Sequence, residues 1–114
     1  MIKTLAVIGS RGFNDYEQLR TVWDSEKPSK IVSGGAKGAD NLAAQYAREN
    51  SIELQEFLPD YKRHGRGAPL VRNKLIVDAS DMVIAFWDGK SRGTKYTMDY
   101  AEKQGKAVKV ISAN

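Results

Sequence analysis

The 114-residue chain contains no cysteine and one histidine. Without cysteine there is no disulfide framework, no zinc ribbon and no thiol nucleophile. His64 has no cysteine to join it, so no metal site is expected. A catalytic His64 would also need a positioned partner, which the sequence does not identify. Long apolar runs are missing, and none approaches the length of a membrane span. The stretch from Met1 to Gly9 is too short and too soon interrupted for a signal peptide. A cytoplasmic chain with no membrane partner is therefore expected. Aromatic residues make up 9% and form no clear row for base stacking. Internal repeats, low-complexity segments and linkers are absent, and the length suits a single domain over residues 1–114.

What is present is an ordinary globular balance, 41% hydrophobic and 28% charged. The formal net charge is +4 and the pI about 9.4. This mild bias favours an anionic ligand of any size without specifying one.

The chain is organised around Ile31-Val32-Ser33-Gly34-Gly35-Ala36-Lys37-Gly38-Ala39-Asp40. A β-type run, Lys30 to Ser33, enters a glycine turn that opens a helix from about Gly38 to Glu49. At such a helix start, unpaired N–H groups and the helix dipole favour an anion, commonly phosphate. Gly34 and Gly35 allow positive φ and close approach, Gly38 allows tight packing, and Lys37 adds charge. The loop is neither a Walker A sequence nor the spaced G-x-G-x-x-G fingerprint. The plain alternative is a tight βα turn without a ligand. Asp40 in the first helical turn suits the dipole, or it accepts hydrogen bonds from ligand hydroxyls.

Elsewhere strands and helices alternate. Thr4 to Ile8 reads as a buried strand ended by Gly9, followed by Ser10 and Arg11 at its C-terminal end, where α/β sheets bind ligands. Arg11 suits bidentate phosphate contact, or is a surface arginine in a turn. A helix is expected over about Tyr16 to Asp24, capped by Asn14 or Asp15, with Leu19, Val22 and Trp23 inward. Leu42, Ala43, Tyr46 and Ala47 give the second helix its stripe, and Ile52 to Leu58 a third strand. Pro59 to Pro69 reads as a long irregular loop. In it Lys62, Arg63 and Arg66 suit an anion, and Tyr61 a base. A third helix buries Leu70, Val71, Leu75, Ile76 and Ala79, with Arg72 and Asn73 near the sheet's mouth. Met82 to Phe86 forms a fourth strand. A loop from Trp87 to Thr94 offers Ser91, Gly93 and Thr94 as donors. A helix over about Thr94 to Lys103, capped by Gly105, and a strand from Ala107 to Ile111 finish the chain. This order predicts an α/β fold: a Rossmann-like three-layer sandwich of about five parallel strands and about four helices, with helices on both faces. Right-handed crossovers place the βα loops on one edge, where they build one site.

Four motifs in this order resemble the SLOG superfamily, the Rossmann-like group of DprA/Smf proteins and LOG phosphoribohydrolases. They are Gly9-Ser10-Arg11, Ser33 to Asp40, Arg72-Asn73 and Ser91-Arg92-Gly93-Thr94. Pro59-Asp60-Tyr61, Gly65, Gly67 and Phe86 extend the likeness to the YspA-like branch, short proteins of bacteria and phages. The resemblance covers nearly the whole chain. It implies a nucleotide or nucleotide-derived ligand held by Gly9, Ser10, Arg11, Ser33, Gly34, Gly35, Lys37, Gly38, Asp40, Arg72, Asn73, Ser91, Gly93 and Thr94. It implies no reaction. LOG enzymes carry a glutamate three residues after their Gly-Thr. Here Gly93-Thr94 is followed by Lys95, Tyr96 and Thr97, and the nearest acid is Asp99.

Three functions compete. The first is binding or sensing of a small NAD- or ADP-ribose-like ligand. The second is hydrolysis of its N-glycosidic or phosphate bond, with Asp40, Asp88 or Asp99 as candidate catalytic carboxylates. The third is single-stranded nucleic-acid binding, as in DprA. A homodimer is a modest expectation from the resemblance, and whether the chain is an enzyme stays open.

Overall fold

The apolar run at the N-terminus builds the centre of the sheet. In the computed structural model, which describes residues 3–35 and 37–112, strand β1 (Thr4–Gly9) has neighbours on both sides. The chain continues through α1 (Tyr16–Glu26), β2 (Lys30–Ser33), α2 (Ala39–Glu49) and β3 (Glu53–Glu56). Next come α3 (Tyr61–His64), a 3-10 turn (Gly65–Gly67) and α4 (Ala68–Asp78). Last are β4 (Met82–Trp87), α5 (Arg92–Lys103) and β5 (Ala107–Ser112). All strand pairs are parallel, in the order β3-β2-β1-β4-β5. The order reverses between β1 and β4, which leaves a crevice beyond their C-terminal ends.

Alternation along the buried strands sends side chains into two cores. Leu5, Val7, Ile31, Ile84 and Phe86 meet Leu19 and Trp23 of α1 and Ala43, Tyr46 and Ala47 of α2. Ala6, Ile8, Val32, Val83 and Ala85 meet Ile76 and Val77 of α4 and Met98 and Ala101 of α5. Helices therefore cover both faces, as expected of a Rossmann-like sandwich. Burial of each large apolar side chain contributes roughly 1.5–3 kcal/mol. Leu19 and Trp23, four apart, share one helical face, and Asp15 caps α1 by accepting from the Gln18 N–H at 3.1 Å. The Trp23 ring meets Tyr46 edge-on at 5.4 Å, and the Tyr46 hydroxyl donates to Asp24 at 2.7 Å, tying α2 to α1. At the end of α5, Gly105 has φ +74. Its N–H reaches the Glu102 carbonyl and that of Lys106 the Ala101 carbonyl, both at 3.0 Å. These paired bonds close the helix.

Two expectations change. The stretch from Pro59 to Pro69 is not a long irregular loop. Asp60 accepts from the Arg63 N–H at 3.2 Å and starts α3, and the 3-10 turn leads into α4. The helices thus number five among the described residues, not about four. The buried face of α4 is also rotated from the one expected. Ala68, Ile76 and Val77 are buried, Leu70 and Val71 are half-buried, and Leu75 and Ala79 are exposed. Polar anchors set this rotation: Arg72 donates to the Gly34 carbonyl and Asn73 to the Thr97 hydroxyl. Trp23 and Tyr46 are core residues, whereas Tyr96 is exposed. No helix among the described residues is long and apolar enough to cross a membrane.

Candidate functional site

At the C-terminal end of β1 the chain has little room. A side chain on Gly9 would come within 2.9 Å of both the Ala39 Cβ and the Phe86 carbonyl oxygen. Glycine there lets α2 and β4 close in on β1. The next residue, Ser10, is laced to β4. Its N–H donates to the Phe86 carbonyl at 3.0 Å, and its hydroxyl oxygen accepts from the Asp88 N–H at 3.2 Å. Beyond this lacing lies a cleft of about 440 Å³, within the range of small-ligand sites. It sits at the β1/β4 switch point.

The cleft draws on three helix starts. From the first loop come Gly9, Ser10, Arg11 and Gly12, with Arg11 exposed at the rim. Asp40 comes from the first turn of α2, Pro69, Arg72 and Asn73 from α4, and Asp88, Ser91, Gly93 and Thr94 from the β4–α5 connection. Helix α5 begins at Arg92, so Gly93 and Thr94 stand in its first turn, not in a loop. That turn contains no acid, and Ser91 makes no side-chain cap. The α5 dipole and its first N–H groups therefore favour an anion at this end of the cleft.

Both carboxylates that reach the cleft accept backbone N–H groups. Asp88 Oδ1 receives the amides of Lys90 and Ser91 at 2.8 Å each. Those bonds, with help from the Ser10 hydroxyl, hold the Asp88 carboxyl below the usual carboxylate range. Asp40, nearly buried, accepts the Gly34 N–H at 3.2 Å. Each acid thus braces a loop. Asp99 lies elsewhere, paired with Lys95 at 2.6 Å and half-exposed on α5. Asn73 donates to Thr97 Oγ1 at 2.9 Å, and that hydroxyl donates to the Gly93 carbonyl at 2.8 Å, so α4 and α5 are joined at the cleft wall.

The glycine turn supports the site from behind. Ser33, Gly34, Gly35, Lys37 and Gly38 are not among the described residues that line the cleft, and Ala36 lies outside the described residues. Gly34 is gripped from both sides. Asp40 takes its N–H, and Arg72 donates to its carbonyl at 2.7 Å. Gly38, at φ +79, presses against the Ser10 and Arg11 carbonyls. Ser33 Oγ is fully buried without a hydrogen-bond partner among the described residues. Ile8, Gly12 and Pro69 line the cleft without having been expected from the sequence. Pro69 carried a usable signal, because proline in a first helical turn marks a helix start aimed at the sheet edge. His64 lies outside the cleft, in a smaller hollow shared with Arg63 and Arg72. Among the described residues no group of three or more His, Cys, Asp or Glu is placed to hold a metal.

Residues 4–64 match the model of the YspA, cpYpsA-related SLOG family. The chain belongs to that family. It is also similar to Gene 61 protein of Mycobacterium phage D29, at 33% identity over 118 residues. That match spans 91% of this chain and 92% of the phage protein. Among solved structures it is similar to DNA processing protein A (DprA) of Streptococcus pneumoniae, with TM-score 0.83 and 22% identity over 99% of this chain. A second similar structure is DprA of Helicobacter pylori, with TM-score 0.69 and 27% identity over 95% of this chain. The Helicobacter protein is described as having a unique single-stranded DNA binding mode. The chain spans 51% and 64% of the lengths of these two chains.

Proposed function

We propose that the chain, acting as one domain in the cytoplasm, binds or senses a nucleotide or nucleotide-derived ligand of the NAD or ADP-ribose kind. The observation that carries this reading is the chemistry of the cleft at the β1/β4 switch. The acid-free first turn of α5 and the side chains of Arg11 and Arg72 border it, while Asp40 and Asp88 are engaged by backbone N–H groups. The balance favours an anion, and Ser91, Thr94 and Asn73 add polar groups for orientation. Binding is preferred over hydrolysis because the cleft carboxylates brace loops and Asp99 is paired with Lys95 away from the cleft.

The test is thermal melting with AMP, ADP-ribose and NAD. A ligand at one hundred times its Kd stabilises the native state by about 2.7 kcal/mol. Arg11→Ala, at an exposed position, should abolish the gain and leave the unliganded melting temperature unchanged. Flat melting curves across the whole panel would sink the reading. Unchanged nucleotide after long incubation at high protein concentration separates binding from hydrolysis.

A second reading, single-stranded nucleic acid, is favoured by the description of the Helicobacter pylori relative and by exposed Lys62, Arg63 and Arg66. It requires affinity that falls steeply with salt. Failure to retain an oligonucleotide at low salt would remove it.

A further inference from the structure

The smaller hollow beside α4 measures about 170 Å³ and mixes two chemistries. Leu58, just past β3, and Val71 and Leu75, four apart on one side of α4, give it apolar walls. Arg63 and His64 of α3 and Arg72 of α4 line the same small volume. Its one acid, Asp60, caps α3 by accepting the Arg63 N–H at 3.2 Å. Arg72 donates to the Pro69 and Gly34 carbonyls, at 3.3 and 2.7 Å, and both partners are neutral. Among the described residues no acid forms an ion pair with Arg63 or Arg72. Two arginines thus face one aspartate. Leu58 is 70% exposed and Leu75 49%, so apolar surface continues beyond the hollow.

We propose that this hollow captures the C-terminal residue of a partner polypeptide that ends in an apolar side chain. The volume lies below the range of about 300–1,000 Å³ that whole small-molecule sites occupy. Cations and apolar walls share it, so the occupant carries its anion and its apolar group within a few atoms of each other. A chain end does this, because its carboxylate and its side chain leave the same Cα. The carboxylate accepts charge-assisted bonds from Arg63 and from the N–H groups that Arg72 has left over, while the side chain packs on Val71 and Leu75. A phosphodiester backbone brings charge without an apolar body and leaves those walls bare. A free amphipathic acid fills the hollow but leaves the exposed surface of Leu58 and Leu75 in water. The residues that precede a chain end cover it, as an exposed apolar patch beside a charged site requires.

The experiment is an NMR titration of the isotope-labelled full chain. The probes are the peptide N-acetyl-Leu-Gly-Leu as its free acid, the same peptide as its C-terminal amide, isovalerate, and oligothymidylate. The free acid should shift the backbone amides of His64, Val71 and Leu75 saturably, with a Kd of about 1 mM or tighter. The amide should bind about tenfold more weakly, through loss of the charge-assisted bonds. Isovalerate should bind about tenfold more weakly as well, through loss of apolar contact. Arg72 also borders the cleft and grips Gly34, so the variants are Arg63→Gln, at an exposed position, and Leu75→Ser. Each should weaken the peptide about fivefold or more. Absence of a saturable shift at these residues overturns the proposal. Equal affinity for acid and amide does so too. Isovalerate binding as tightly as the peptide would assign the hollow to small acids instead, and displacement of the peptide by oligothymidylate would assign it to nucleic acid.

Discussion

Gly38→Ala is the substitution whose cost follows most directly from the structure. Gly38 has φ +79 and ψ −127, a region essentially reserved for glycine. An added Cβ would lie 2.5 Å from the Ser10 carbonyl oxygen, 2.7 Å from the Arg11 carbonyl oxygen and 2.9 Å from the Arg11 carbonyl carbon. These are backbone atoms, so no rotamer change relieves the overlap. The backbone conformation costs on the order of 1–3 kcal/mol. Displacing a packed loop adds roughly 1–3 kcal/mol more. A loss of about 2–6 kcal/mol is a large share of a native stability of about 5–15 kcal/mol. For a chain of this size it should lower Tm by roughly 10–25 °C. The assay is melting followed by circular dichroism, with Gly12→Ala as control, because a Cβ at Gly12 meets nothing within 4 Å. If Gly38→Ala melted within about 2 °C of wild type, the close packing of the glycine turn against the first loop would be refuted.

Gly34→Ala should behave differently. Its Cβ would overlap the Arg72 guanidinium, which can swing aside, so the cost is the 2.7 Å bond to the Gly34 carbonyl, about 1–2 kcal/mol. Nucleotide affinity should fall by more than in Gly12→Ala, as read by titration calorimetry. At alkaline pH, burial and the bond to Glu49 push Tyr16 up to about 12, and burial with Asp24 raises Tyr46 as well. The native state then holds protons that unfolded tyrosines, near 10, release. This stability is present in full below pH 10 and is lost as pH rises toward 12, and denaturant unfolding should show Tyr16→Phe and Tyr46→Phe flattening the loss. At acid pH the sign reverses for Asp88, whose folded pKa is depressed by the Lys90 and Ser91 amides. Its contribution is present above the ordinary aspartate value and disappears as pH falls through the folded one, so Asp88→Asn should soften the acid limb of a stability–pH curve.

The sheet was legible because buried parallel strands are short apolar runs with glycine or polar residues at their ends, as in Thr4 to Ile8 and Met82 to Phe86. Helices α1, α2 and α5 were legible by spacing and caps. Helix α4 was not, because apolar residues surround it and periodicity cannot choose a face; contacts from Arg72 and Asn73 to distant segments decide it. Likewise Asp60 caps α3 through a local bond, a signal present in the sequence but outweighed by the glycines that follow. In the cleft, sequence order brought Ser10, Arg11, Asp40, Arg72 and Ser91 to one edge. It could not tell that Asp40 and Arg72 grip Gly34, since that depends on residues up to 38 apart meeting in space. Nor does the position of Asp99 show that its partner is Lys95, not a ligand.

The lacing of Ser10 to Asp88 joins residues 78 apart in the chain. Its two strands are neighbours in space, but two strands, four helices and a 3-10 turn are made between them. The cleft therefore has no local precursor. Closing so long a loop is an entropic cost that must be met before the contacts at its ends return anything. A chain still emerging from the ribosome holds the whole glycine turn, and even α4, before it has a β4 to complete the floor. Ligand capture should consequently report finished folding rather than guide it.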